Sequence, residues 1–212
     1  MKGLLTVLVA IGALVVVSGV FAAMVDGTPA DDRLRGTMQA DVIRAFAGND
    51  IVNARDGNDL VRAGAGDDVV HGADGSDIVF GGTGADRIRT GNEDDVAWAG
   101  SGDDEVGGGY GPDELHGGSG NDSVRGGPGD DRLWAGPGLD VVHGGPGDDV
   151  LHALAADDDP DVLDCGPGRD TARVRGSERP TTRFHGCETI VVVVMPTADD
   201  AAAEADRDAD AE

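Results

Sequence analysis

Past an apolar stretch at its start, the chain falls into a pattern of period nine that runs without a slip from Gly27 to His152, fourteen units in all. The clearest unit is Gly81-Gly82-Thr83-Gly84-Ala85-Asp86-Arg87-Ile88-Arg89. Its eighth place is aliphatic throughout: Leu34, Ile43, Val52, Val61, Val70, Val79, Ile88, Ala97, Val106, Leu115, Val124, Leu133, Val142 and Leu151. Its sixth place is always aspartate: Asp32, Asp41, Asp50, Asp59, Asp68, Asp77, Asp86, Asp95, Asp104, Asp113, Asp122, Asp131, Asp140 and Asp149. Glycine holds the fourth place in eleven units, the exceptions being Ala30, Gln39 and Glu93. The spacing predicts a six-residue glycine-rich turn and then three extended residues, the middle one pointing inward and its neighbours outward. Two units make one 18-residue coil with two short parallel strands.

The flanks read differently. Lys2 followed by an apolar run from Gly3 to Val25 predicts a signal peptide over residues 1–25, cut after Val20-Phe21-Ala22 or Phe21-Ala22-Ala23. The alternative is an uncleaved anchor, since the run is long enough to span a bilayer. Either way the rest of the chain is expected outside the cytoplasm, secreted or held at the cell surface. Residues 153–195 are expected to hold degenerate repeats and a C-terminal cap. Ala153 to Ala155 read as an insertion, after which Ala156–Asp164 and Cys165–Arg173 recover the phase with Asp161 and Asp170 sixth. Thr189 to Met195 is a β-branched run that predicts a strand. Cys165 and Cys187 are the only cysteines, and in an exported chain two cysteines are expected to pair; free thiols are the alternative. Residues 196–212, rich in Ala and Asp, predict a disordered acidic tail.

Composition sharpens the picture. Thirty-six glycines against 4 Phe, 2 Trp and 1 Tyr exclude an ordinary hydrophobic core, and glycine does not fall at every third position as collagen demands. A net charge of -25 excludes nucleic acid as a partner. Within residues 27–152 there are 25 acids and nine arginines, an excess of sixteen negative charges that opposes compaction unless cations are supplied. Aspartate carboxylates with turn carbonyls suit Ca²⁺, which takes oxygen ligands in flexible geometry. Zinc and copper call for His or Cys clusters, which the array lacks.

The units resemble the G-G-x-G-x-D-x-U-x nonapeptide of RTX, or haemolysin-type, calcium-binding repeats. The resemblance implies an all-β fold, a parallel β-roll (a β-solenoid with two nine-residue units per coil), with several Ca²⁺ ions held between successive turns on one side. It implies two columns of ligands: Asp50, Asp68, Asp86, Asp104, Asp122 and Asp140 in one, and Asp59, Asp77, Asp95, Asp113, Asp131 and Asp149 in the other. It also implies turn carbonyls as ligands, from Gly64, Gly66, Gly81, Gly82, Gly84, Gly100, Gly102, Gly117, Gly118, Gly120, Gly126, Gly127, Gly129, Gly144, Gly145 and Gly147. Asp32, Asp41 and Asp170 are weaker candidates. The first two stand in units with Thr28 and Thr37 second and Ala30 and Gln39 fourth, and the eighth unit departs with Thr90 and Glu93. Fifth-place Asp67, Asp94, Asp103, Asp130 and Asp148 are expected as surface charges. Counting adjacent well-formed turns gives about six to twelve ions. The competing reading of the aspartates is as turn formers only.

Nothing in the chain has the spacing of a catalytic site: there is no HExxH, no nucleophile elbow and no Walker loop. One outward constellation stands out. The ninth places of alternate units read Arg44, Arg62, Phe80, Trp98, His116, Trp134 and His152, a ladder beside the seventh-place Leu60, Ile78, Val96 and Val150. It is either an in-register ladder that stabilises the roll, a stripe covered by Val191 to Val194, or a docking surface for an extracellular glycan or protein, with Phe80, Trp98, His116 and Trp134 as contacts. The reading is thus a secreted, non-enzymatic calcium-binding roll. An adhesion or matrix protein is the first alternative, and a secreted hydrolase or epimerase the second.

Overall fold

The structure, a computed structural model, describes residues 22–155, 159–176 and 182–193 in full and residues 6–8 and 14–16 as backbone. Among the described residues every regular element is a strand, and successive strands alternate between two parallel sheets. The larger sheet has eleven strands: Thr6–Leu8, Met24–Asp26, Val42–Ala47, Leu60–Ala65, Ile78–Thr83, Val96–Ser101, Glu114–Ser119, Arg132–Trp134, Val150–Ala153, Thr171–Arg175 and Thr189–Val193. The other has ten: Leu14–Val16, Arg33–Arg35, Ile51–Asp56, Val69–Asp74, Arg87–Asn92, Glu105–Tyr110, Ser123–Arg125, Val141–His143, Val162–Asp164 and Arg183–His185. The result is a parallel β-solenoid.

Register keeps like places in line. Ile88 pairs with Val70 on one side and Val106 on the other, each 18 residues away. Past His152 the offset grows to 21, with Val141 opposite Val162 and Val150 opposite Thr171, so three extra residues are taken up without loss of phase. Ala153, expected within the insertion, instead ends the strand Val150–Ala153, pairs with Val174 and is buried in the core. Asp161 and Leu163, then Asp170 and Ala172, are buried where the sixth and eighth places demand.

Strand length departs from the sequence expectation. From Val42 to Ser119 the strands run six residues rather than three, continuing through the first three places of the next unit. A second inward column accompanies them and continues beyond them. Alternation carries the first place into the core behind the eighth, and Ala45, Ala54, Ala63, Ala99 and Ala135 are fully buried there beside Ile43, Val52, Val61, Ala97 and Leu133. Only small residues fit. A Cβ on Gly81 would collide with the Ala99 carbonyl and the Asp86 carboxylate, and one on Gly144 with the Cys165 carbonyl and the Asp149 carboxylate.

Both ends extend the stack. The apolar N-terminal run, expected as a leader, contributes two backbone strands, Thr6–Leu8 beside Met24–Asp26 and Leu14–Val16 beside Arg33–Arg35. The expected cut falls largely outside the described residues, as does the acidic tail. No helix among the described residues is long and apolar enough to cross a membrane, which says nothing of strands. At the other end Cys165 and Cys187 form a disulfide. Thr189–Val193 lies in the plane of the larger sheet beside Thr171–Arg175, so it does not cover the aromatic stripe.

Candidate metal centre

Each turn closes on its sixth-place aspartate, whose side chain folds inward and is at most 3 % exposed from Asp32 to Asp170. Burial of a carboxylate is costly unless its oxygens find donors. One oxygen does. The backbone N–H of each aspartate donates to Oδ1 of the aspartate one coil on: Asp32 to Asp50 at 2.7 Å, Asp50 to Asp68 at 2.7 Å, Asp68 to Asp86 at 2.8 Å, Asp86 to Asp104 at 2.6 Å. The second column does the same from Ala23 to Asp41 at 2.6 Å, through Asp59, Asp77, Asp95, Asp113, Asp131 and Asp149, to Asp170 at 2.8 Å. Glu188 ends this column, its Oε2 accepting from the Asp170 N–H at 2.8 Å.

The second oxygen does not. Oδ2 of Asp50, Asp59, Asp68, Asp77, Asp86, Asp95, Asp104, Asp113, Asp131, Asp149 and Asp170 is buried with no hydrogen-bond partner. Burial accordingly pushes these carboxyls up, against the hold of the donated N–H: to about 6 at Asp68, Asp95, Asp104 and Asp131. They rise to about 7 at Asp50, Asp59 and Asp149, and to about 8 at Asp77, Asp86 and Asp113, where aspartates of the coils on either side add repulsion. Asp170 is raised as well, again chiefly by burial.

Backbone oxygens share the place into which Oδ2 points. At Gly72 the nearest atoms to a built Cβ are Asp77 Oδ2 and the Thr90 carbonyl; at Gly81 they include Asp86 Oδ2 and the Ala99 carbonyl. Gly108 has Asp113 Oδ2 and the Gly126 carbonyl, Gly117 the Ala135 carbonyl and Asp122 Oδ2, and Gly126 has Asp131 Oδ2 and the Gly144 carbonyl. First-place carbonyls of the next coil are therefore among the oxygens near the carboxylates. Thr90, Ala99 and Ala135 belong to this set although none of them is a glycine. The second- and fourth-place carbonyls of Gly64, Gly66, Gly82, Gly84, Gly100, Gly102, Gly118, Gly120, Gly127 and Gly129 lie against the equivalent glycines one coil on.

The departing residues have local explanations. Thr90 sits in the core column and its hydroxyl donates to the Gly108 carbonyl at 3.0 Å; Glu93 takes the left-handed conformation at φ 75 and its carboxylate accepts the Gly75 N–H at 2.7 Å. Fifth-place residues, expected only as surface charge, form a second ladder. Asp67, Asp103, Asp130 and Asp148 accept the N–H of the residue one coil on at 2.8 to 3.0 Å.

The outward stripe is a continuous stack. Phe80, Trp98, His116, Trp134 and His152 lie with ring centroids 4.3 to 5.4 Å apart and planes within 13° of parallel. Arg62 covers the far face of Phe80 at 5.2 Å. Ring faces are thus turned to one another and the edges outward. Burial lowers the His152 value to about 4, helped by the nearby Arg173, so the stack carries no charge there at neutral pH.

Among the described residues no three His, Cys, Asp or Glu side chains gather into a metal cluster. The sites on offer are single buried carboxylate oxygens beside backbone carbonyls, repeated coil after coil. That donor set fits a hard cation taking oxygen ligands and does not fit zinc or copper. Fold and turns together define a parallel β-solenoid with acid-lined turns. The RTX calcium-binding nonapeptide repeat family model matches at residues 26–61, 54–88, 80–115, 107–142, 126–160 and 134–172, and the chain belongs to this family. No curated protein matches it in a sequence search.

Proposed function

We propose that the chain is an exported, non-enzymatic structural module whose roll is completed by calcium, each nine-residue unit forming half a coil. The observation that carries this is the column of buried Oδ2 atoms without donors. Such atoms are a standing cost in a metal-free roll and become ligands once a cation is present. Ca²⁺, when bound, supplies positive charge and a demand for oxygen ligands. The protein's part is to hold Oδ1 in the ladder, aim Oδ2 at the first-place carbonyls, and stack the turns so that each coil orders the next. Neutralising the sixteen excess charges of residues 27–152 takes about eight divalent ions, within the range of about six to twelve expected from the turns. Export by the leader over residues 1–25 places the array where calcium is abundant, and the pairing of Thr6–Leu8 and Leu14–Val16 then belongs to the uncleaved precursor. The stacked aromatic faces favour a stabilising ladder over a docking site. Isothermal titration of the mature chain tests the reading: uptake of several Ca²⁺ ions with gain of β signal supports it, and no uptake at millimolar calcium ends it.

A further inference from the structure

The fourteen turns fall into two backbone classes that glycine content does not reveal. In twelve of them, from the unit at Ala45 to the unit at Gly144, the second place is left-handed. Glycine holds it in nine, at φ values such as 117 at Gly64 and 115 at Gly82, but Phe46, Arg55 and Ala73 hold it too, at φ 79, 85 and 96. Side chains avoid this region, and its use by three of them marks a conformation the turn requires. In the two turns that open the array the second place is threonine and is not left-handed.

The difference decides what the aspartate meets. Thr28 donates its N–H to Asp32 Oδ2 at 2.5 Å and its hydroxyl to the same oxygen at 2.9 Å. Thr37 does likewise to Asp41, by N–H at 2.5 Å and by hydroxyl at 3.0 Å. In the turns of Phe46, Arg55 and Ala73 the left-handed residue makes no such bond, and Oδ2 of Asp50, Asp59 and Asp77 is left without a donor. Charge divides at the same boundary. Residues 27–44 hold three aspartates and three arginines, whereas residues 45–152 hold 22 acids and six arginines.

We infer, resting on the calcium reading above, that second-place conformation rather than glycine selects the calcium turns. The turns ending in Asp32 and Asp41 take no ion, because threonine supplies both donors. The turns ending in Asp50, Asp59 and Asp77 take calcium although they lack the double glycine. The opening coil is consequently a metal-free end on which the calcium-filled coils stack.

A crystal structure of the mature chain grown in calcium, with anomalous scattering to place the ions, tests this. Ions at Asp50, Asp59 and Asp77 with none at Asp32 and Asp41 are expected. An ion in either threonine turn, or none at all three of the others while glycine turns are filled, overturns it. No ion in any turn overturns the calcium reading itself, and this inference with it. In solution, native mass spectrometry in calcium should show at least one ion fewer for Asp59→Asn and for Asp77→Asn, which keep an Oδ1 acceptor for the ladder. The ion count should be unchanged in Asp32→Asn/Asp41→Asn, whose turns take no ion. Equal counts for wild type and the Asp59 and Asp77 variants, or a lower count in the Asp32/Asp41 variant, would contradict the inference.

Discussion

Asp86 shows at one residue how the proposed calcium turn meets the ladder: its N–H and Oδ1 are committed to neighbouring coils while Oδ2 lies by the Ala99 carbonyl, buried and without a donor. Removing the charge and removing the ladder acceptor should therefore be separable. Asp86→Asn should move the calcium midpoint followed by circular dichroism to about tenfold higher calcium, one lost carboxylate costing about 1.4 kcal/mol. Asp86→Ala also strands the Asp68 N–H, and its urea midpoint in calcium should fall further, by about 1 to 3 kcal/mol of stability. The raised carboxyls give a pH dependence of definite sign. A group held above its unfolded value of about 3.9 is protonated in the roll before it is in the open chain. Stability from these groups is fully present below about pH 4 and is lost as pH rises through their folded values of about 6 to 8. Metal-free protein should thus show β signal in acid and lose it toward neutral pH, whereas excess calcium should flatten the profile. A metal-free chain equally ordered at both ends of that range would refute the assignment.

At the level of the turn and strand, the left-handed second place sets what substitutions do. Ala73→Gly relieves a side chain at φ 96 and should raise stability in calcium by roughly 1 kcal/mol. Gly82→Ala meets the Gly64 carbonyl as well as a left-handed backbone, and should lower it by more than that in the same urea melt. Trp98 stacks on both Phe80 and His116, so Trp98→Ala should cost at least about 1 to 3 kcal/mol from two ring contacts. This is the scale at which the sequence was least legible. The eighth-place column was plain because aliphatic residues mark it, but the first-place column of the core is built of Ala, Gly and Thr90, which carry no hydrophobic signature. The fifth-place ladder and the threonine closures were equally hidden. They depend on which N–H a neighbouring coil brings opposite a side chain, and spacing within one unit does not say.

Across the whole molecule the legible part was large, because a repeat fixes register once its period is known. Alternation of strands between two sheets, the 18-residue offset and the phase recovered at Asp161 and Asp170 followed from spacing, and the pairing of Cys165 with Cys187 from there being two cysteines in a chain expected to be exported. Within the N-terminal run, expected as a leader, Thr6–Leu8 and Leu14–Val16 are paired as strands, since an apolar, β-branched segment suits either setting. The disulfide spans a separation of 22 residues, and Cys165→Ser/Cys187→Ser should cost roughly 3 kcal/mol by loop entropy. Hydrogen exchange should locate that loss in the strands from Val162 onward, because each coil touches only its neighbours. Calcium should act on every coil from Ala45 to Asp149 together. The most direct measurement is therefore a calcium titration of the metal-free mature chain at neutral pH, with circular dichroism and ion uptake followed on the same sample. Cooperative gain of β signal that tracks the binding of several ions is the predicted result; a fully formed roll before calcium is added, or a signal unchanged by it, would contradict the account.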